Sequence, residues 1–106
     1  MVNLEPNVGA EIRKTRPAII VNSNSIGKLP LKVIVPITGW NKKFEAAPWM
    51  VKISPDPENK LEKASAADCF QVRSVSEKRL VKKIGKVSDH YLKGIQDGLM
   101  AVFSIG

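Results

Sequence analysis

The chain has 106 residues, 43% of them hydrophobic, with a formal net charge of +7 and a pI near 9.8. That suits one globular domain (1–106) whose basic surplus favours an anionic partner. Aromatics at 6% argue against a stacking platform for single-stranded bases as the main binding device, and no apolar run reaches the roughly 18 residues of a membrane span. Cys69 and His90 are each alone, which excludes an internal disulfide, a thiolate cluster, a His-based catalytic pair and a multi-histidine metal site within one chain. The N-terminus has no basic-then-apolar signal layout, so the expectation is a cytoplasmic protein with no cofactor and no metal.

In chain order, residues 3–15 read as a loop, with Pro6, Asn7 and Gly9 followed by Glu11, Arg13 and Lys14. Pro17 lacks an N–H and suits the first position of a strand, and 18–22 follow as a short, largely β-branched strand. Residues 22–27 read as a turn-rich connection and 31–37 as the next strand, closed by Thr38 and Gly39. A loop with Lys42 and Lys43 leads to a half-buried strand, Trp49, Val51 and Ile53 on one side and Met50 and Lys52 on the other. Pro55-Asp56-Pro57 breaks it, and 61–67 suit a loop or one helical turn. Residues 69–75 read as a strand with Gln71 and Arg73 on one face.

Ser76 can cap a short helix over 77–80, and a brief strand spans 82–87. Ser88 then caps the longest helix, with Asp89 in its first turn and Val87 and Leu92 at the positions of a hydrophobic staple. Leu92, Ile95, Leu99 and Val102 or Phe103 recur at helical spacing and form its inner face. Gly94 and Gly98 each cost about 1 kcal/mol against Ala, which points to close packing on the sheet or across a dimer. The pattern is mainly β with a C-terminal helix, a small barrel or α+β domain.

The functional candidates are Glu11, Arg16, Thr38, Gln71 and Arg73. Arg16 stands where a loop meets a rigid strand, and a guanidinium there offers a permanent charge and a fork of donors. If the strands at 18–22 and 31–37 pair antiparallel, Arg16 and Thr38 face one small volume.

The chain resembles toxins of the MazF/PemK type, the ribosome-independent RNA endonucleases of toxin–antitoxin systems. The resemblance rests on Asn3-Leu4-Glu5-Pro6 with Gly9-Ala10-Glu11, then Arg16-Pro17-Ala18-Ile19-Ile20-Val21, then Val35-Pro36-Ile37-Thr38. It continues in Gln71-Val72-Arg73-Ser74-Val75, and in Arg79-Leu80 followed by Lys83-Ile84-Gly85-Lys86-Val87-Ser88. It implies an SH3-like barrel of the CcdB/PemK-like fold, working as a homodimer with RNA in a groove at the dimer interface. Arg16 and Thr38 inherit the catalytic roles, in a metal-independent cleavage of single-stranded RNA (mRNA) that leaves a 2′,3′-cyclic phosphate and a 5′-OH. Glu11 matches an acidic residue of the family's mobile first loop, and Gln71 a residue near the groove. The implied partners are the RNA and a cognate, MazE-like antitoxin whose acidic segment occupies the groove.

Arg13, Lys14, Lys42 and Lys43, with Lys82, Lys83 and Lys86, are candidate phosphate contacts, Arg73 a further RNA-binding candidate, and Trp40 can stack on a base or pack. Cys69 reads as a small buried or half-buried apolar residue, Asp68 as a cap or local hydrogen-bonding group, His90 as surface. One departure from the family stands out: Met1-Val2 is all that remains of its usual opening strand, so the first strand is expected to be shortened. Two other functions fit the composition, a same-fold toxin that binds DNA gyrase and a non-enzymatic basic RNA-binding module. The C-terminus lacks the tryptophan expected of the gyrase branch.

Overall fold

The structure, a computed structural model, describes residues 7–11, 17–21 and 30–104, with the backbone alone at 7–11 and 81–83. Among them run strands β1 (Asn7–Glu11), β2 (Pro17–Ile20), β3 (Leu31–Gly39), β4 (Met50–Ile53), β5 (Ser65–Asp68), β6 (Arg73–Ser76) and β7 (Leu80–Lys86), then helix α1 (Asp89–Phe103). Every pairing is antiparallel, in the order β4-β5-β3-β2-β1-β7, with β6 also on β3. This is the mainly antiparallel sheet with a C-terminal helix that the sequence predicts.

The two faces of the sheet bury different side chains because neighbours on a strand point to opposite sides. Ile19, Val35, Ile37, Ile53, Ala67, Cys69, Val87 and Ile95 form the core beneath α1. Ala18, Ile20, Ile34, Val75 and Leu80 form a second cluster. Alternation along β3 thus sends Val35 and Ile37 toward the helix, and Ile34, Pro36 and Thr38 to the other face.

The cap and most of the inner face of the helix are as the sequence suggests, but Tyr91 rather than Leu92 is among the residues packed against the core. Ser88 Oγ accepts from Tyr91 N at 3.3 Å, capping the first turn. Ile95 is buried and Leu99 and Val102 pack on the core, whereas Phe103 is 58% exposed, so Val102 takes the last inner position. The helix glycines serve packing on the sheet. A Cβ on Gly98 would lie 2.8 Å from Cys69 Sγ and 3.1 Å from Val51 Cγ2, and one on Gly94 would lie 3.2 Å from Val51 Cγ1.

Several expectations are corrected. The loop read over 3–15 contains β1, whose backbone pairs with β2 on one side and β7 on the other. Pro6, Asn7 and Gly9 suggested turns, but a strand between β2 and β7 satisfies both ladders, which local propensity does not register. The shortened opening strand expected at residues 1–2 lies outside the described residues, as does the whole 22–27 connection. The loop or helical turn at 61–67 gives way to β5, which fills the gap between β3 and β4 with small, buried Ala66 and Ala67. The strand read at 69–75 is broken into a 3-10 turn, Cys69–Gln71, and β6.

Candidate nucleic-acid cleft

The break between β5 and β6 has a cause in β3. Val21 N donates to Val33 O at 2.9 Å, so odd-numbered residues of β3 turn their backbone groups toward β2. Trp40 N donates to Ala64 O at 3.0 Å, so even-numbered residues face the β5 side. Pro36 is even-numbered and has no N–H to give there. Between the pairs Ile34–Arg73 and Ile37–Ala67, the two residues Val35 and Pro36 face five, 68–72. The surplus is taken up in the 3-10 turn: Asp68 Oδ1 accepts from Phe70 N at 3.1 Å, and Val72 N donates to Cys69 O at 3.3 Å.

This buckle shapes a cleft of about 410 Å³ whose lining includes Pro36, Thr38, Phe44, Trp49, Asp68 and Gln71. Thr38 is exposed, and it lies within β3, paired with Ala66, rather than after the strand as its sequence position suggested. Gln71 Nε2 donates to Asp68 Oδ2 at 2.8 Å. Register carries one more residue to this face, since Ala66 pairs on its other side with Lys52. The exposed Lys52 ammonium lies 5.2 Å from the centre of the Trp40 ring, a cation–π contact that holds a positive charge beside the cleft.

The expected residues distribute unevenly. Arg13, Lys14 and Arg16 lie outside the described residues. The backbone of Glu11 ends β1, paired with Leu80, so the residue is strand rather than loop. Lys42 and Lys43 are exposed on a 3-10 turn, Lys42–Ala46. Gln71 stands in the 3-10 turn and lines the cleft, while Arg73 opens β6, so the two do not share a strand face. Trp40 meets Phe44 edge-on at 5.8 Å, and it is Phe44 and Trp49 that line the cleft. Trp49 in turn meets Phe70 at 5.6 Å.

Reasoning from sequence missed Lys52 and Phe44 as groups of this site, whereas the local capping and hydrogen bonding expected of Asp68 are both present, to Phe70 N and Gln71 Nε2. The alternation of Met50 and Lys52 against Trp49, Val51 and Ile53 already put Lys52 on the polar face. Only strand pairing sets that face beside Thr38. Cys69 is fully buried with its thiol directed at Ile95 O, 3.6 Å away. Burial, and then the Asp68 carboxylate, push its pKa up to about 11, so it is a packing residue and no nucleophile. His90 is exposed on the first turn of α1.

Residues 1–103 match the family described as the PemK-like, MazF-like toxin of type II toxin–antitoxin systems, and the chain belongs to that family. Solved structures share its fold. The Mycobacterium tuberculosis toxin MazF-mt6 is 17% identical, with a TM-score of 0.80 over 96% of this chain and 99% of that one. An endoribonuclease from a mycobacterial species, in complex with its cognate antitoxin, is 18% identical, with a TM-score of 0.79 over 99% of this chain and 98% of that one. The MazE–MazF complex of Deinococcus radiodurans is 17% identical, with a TM-score of 0.74 over the full length of both. No helix among the described residues is long and apolar enough to cross a membrane.

Proposed function

We propose that this toxin is a sequence-specific, ribosome-independent and metal-independent endoribonuclease that cuts single-stranded RNA, with Arg16 and Thr38 as its catalytic pair. The observation that carries the reading is the β2–β3 ladder. Ala18 pairs with Pro36, so Pro17, the chain neighbour of Arg16, begins a strand alongside the segment that ends in the exposed Thr38. Family membership and the fold shared with a mycobacterial endoribonuclease support it.

The chemistry needs no group from outside the chain and the RNA. The ribose 2′-oxygen attacks the adjacent phosphorus, an O2′–P bond forms and the P–O5′ bond breaks. The 2′-OH gives up a proton and the departing 5′-oxygen gains one. The products are a 2′,3′-cyclic phosphate and a 5′-OH. The enzyme's task is to hold the phosphate in line and to stabilise the added charge of the pentacoordinate state. Arg16 offers paired N–H donors to two phosphate oxygens. Thr38 adds a hydroxyl donor, and Lys52, across Ala66 from Thr38, a second cation. Arg16 acts electrostatically, because arginine keeps its proton at any ordinary pH and is a poor base.

In this reading the protein works in the cytoplasm as a homodimer. It binds RNA with Glu11, Arg13, Lys14, Trp40, Lys42, Lys43, Gln71 and Arg73 around the catalytic pair, and it is held inactive by an acidic antitoxin segment. The test is incubation of purified protein with RNA in EDTA, followed by mapping of the 5′ ends. Cuts at a short recurrent motif are expected, abolished by a deoxyribose at the cut site. Arg16→Ala and Thr38→Ala each lose about 10²–10³ in rate with the fold intact, the usual loss for one well-aimed donor. Binding without cuts would support a non-enzymatic module instead.

A further inference from the structure

The hydrogen bond between Gln71 and Asp68 fixes what the cleft offers a ligand. A carboxylate only accepts, so the Gln71 amide nitrogen faces Asp68, at 2.8 Å, and its carbonyl oxygen turns away. Asp68 accepts one bond on each oxygen, from Phe70 N at 3.1 Å and from Gln71 Nε2. An ionised carboxylate has about four acceptor sites, so both oxygens keep capacity. Pro36 has no N–H. Among the described residues, the side-chain groups of this polar wall are thus acceptors apart from the Thr38 hydroxyl and the second Gln71 N–H, and the Asp68 carboxylate is its charged group, in a cleft whose other lining includes Ile37, Phe44 and Trp49.

A phosphate, itself an acceptor-only anion, is repelled by the Asp68 carboxylate of this wall. A nucleobase suits it, with apolar faces for Phe44 and Trp49 and an edge that can carry donors. We propose that the cleft beside Thr38 is a base-recognition subsite that takes a nucleobase bearing an exocyclic amine and discriminates against uracil. The amine donates to Asp68 and Gln71. Uracil brings two carbonyl oxygens around its single N–H, and these oppose the Asp68 carboxylate and the Gln71 carbonyl oxygen. The ligand class rests on the endoribonuclease reading, while the choice among bases rests on the Asp68–Gln71 geometry.

The test separates the two. Tryptophan fluorescence reports binding of short, uncleavable 2′-deoxy oligomers in EDTA at fixed salt, with oligo-dC set against oligo-dU, and oligo-dA against oligo-deoxyinosine. Each pair exchanges an amine for a carbonyl. The amine member is expected to bind about tenfold tighter, within the range of one good base contact. Asp68→Asn lets the Gln71 amide turn over, and Gln71→Met removes its acceptor; each brings the pair close to equality, with folding checked by circular dichroism. Equal binding of both members by the wild-type protein, or no binding of either, overturns the subsite even if RNA is cut. A preference untouched by both substitutions overturns it as well. A preference in a protein that cuts no RNA supports the subsite and sinks the nuclease reading alone.

Discussion

Substituting Gly98 by Ala sets two known effects against each other. In an exposed helix interior the change gains about 1 kcal/mol of helix propensity. Here the new methyl would lie 2.8 Å from Cys69 Sγ and 3.1 Å from Val51 Cγ2. The sulfur has little room to retreat, since it is fully buried with its thiol toward Ile95 O. Overpacking of this kind costs about 1–3 kcal/mol, so the net expectation is a loss of about 1 kcal/mol, or about 4 °C in Tm for a domain of this size. Cys69→Ala removes the sulfur and leaves the Cys69 Cβ at an ordinary 3.5 Å from the new methyl. The double variant should therefore be more stable than the sum of the single changes by on the order of 1 kcal/mol. Urea unfolding followed by tryptophan fluorescence, at one fixed protein concentration, measures the cycle. A Gly98→Ala protein stabilised by the full propensity gain, or sites that are simply additive, would refute the packing argument.

The same thiol makes stability depend on pH. Its folded pKa of about 11 exceeds the ordinary 9.0, so its contribution is complete below pH 9 and is lost as pH rises toward 11, about 2 kcal/mol by pH 10.5. Urea midpoints at pH 8 and 10.5 should fall further for wild type than for Cys69→Ala. Gly85→Ala would put a methyl 2.5 Å from Glu58 O and disturb the 2.9 Å bond from Lys86 N to that oxygen, a loss of about 2–3 kcal/mol measured by thermal unfolding. Lys52→Ala should weaken RNA binding alike for all sequences and lower the salt slope by about one, as loss of a single phosphate contact does, while leaving base preference unchanged in titrations at several salt concentrations.

What was legible in the sequence was whatever short-range chemistry decides. Ser88, Asp89 and the apolar spacing of α1 announced the helix, Pro17 announced the start of β2, and the alternation at 49–53 announced β4. What failed depended on partners distant in the chain. β1 forms from a turn-like sequence because β2 and β7 flank it. β5 forms at Ala66 and Ala67, residues of low strand propensity, because small side chains fit between β3 and β4. The candidate site divides in the same way. Thr38, argued from strand topology, and Gln71, matched through a family motif, do meet in one cleft. Lys52 and Phe44 carry no motif, and Lys52 reaches the site only through the register that runs from Thr38 through Ala66.

The strand read at 69–75 is the instructive failure, because its cause lies some 35 residues upstream. Periodicity treats a strand as a property of its own residues, and Phe70 against Gln71 alternates well enough. A ladder is a property of two segments, and on the edge where β5 and β6 dock, β3 has a proline in place of a donor. The partner cannot run straight past Pro36 without leaving a carbonyl unanswered, so it leaves the ladder for five residues and answers its own groups in a capped turn. That detour carries Gln71 out of the sheet, bonds it to Asp68 at the end of β5 and sets both beside Thr38. The residue that weakens the barrel at this point is thus the one that gives it a cleft with polar groups on its wall.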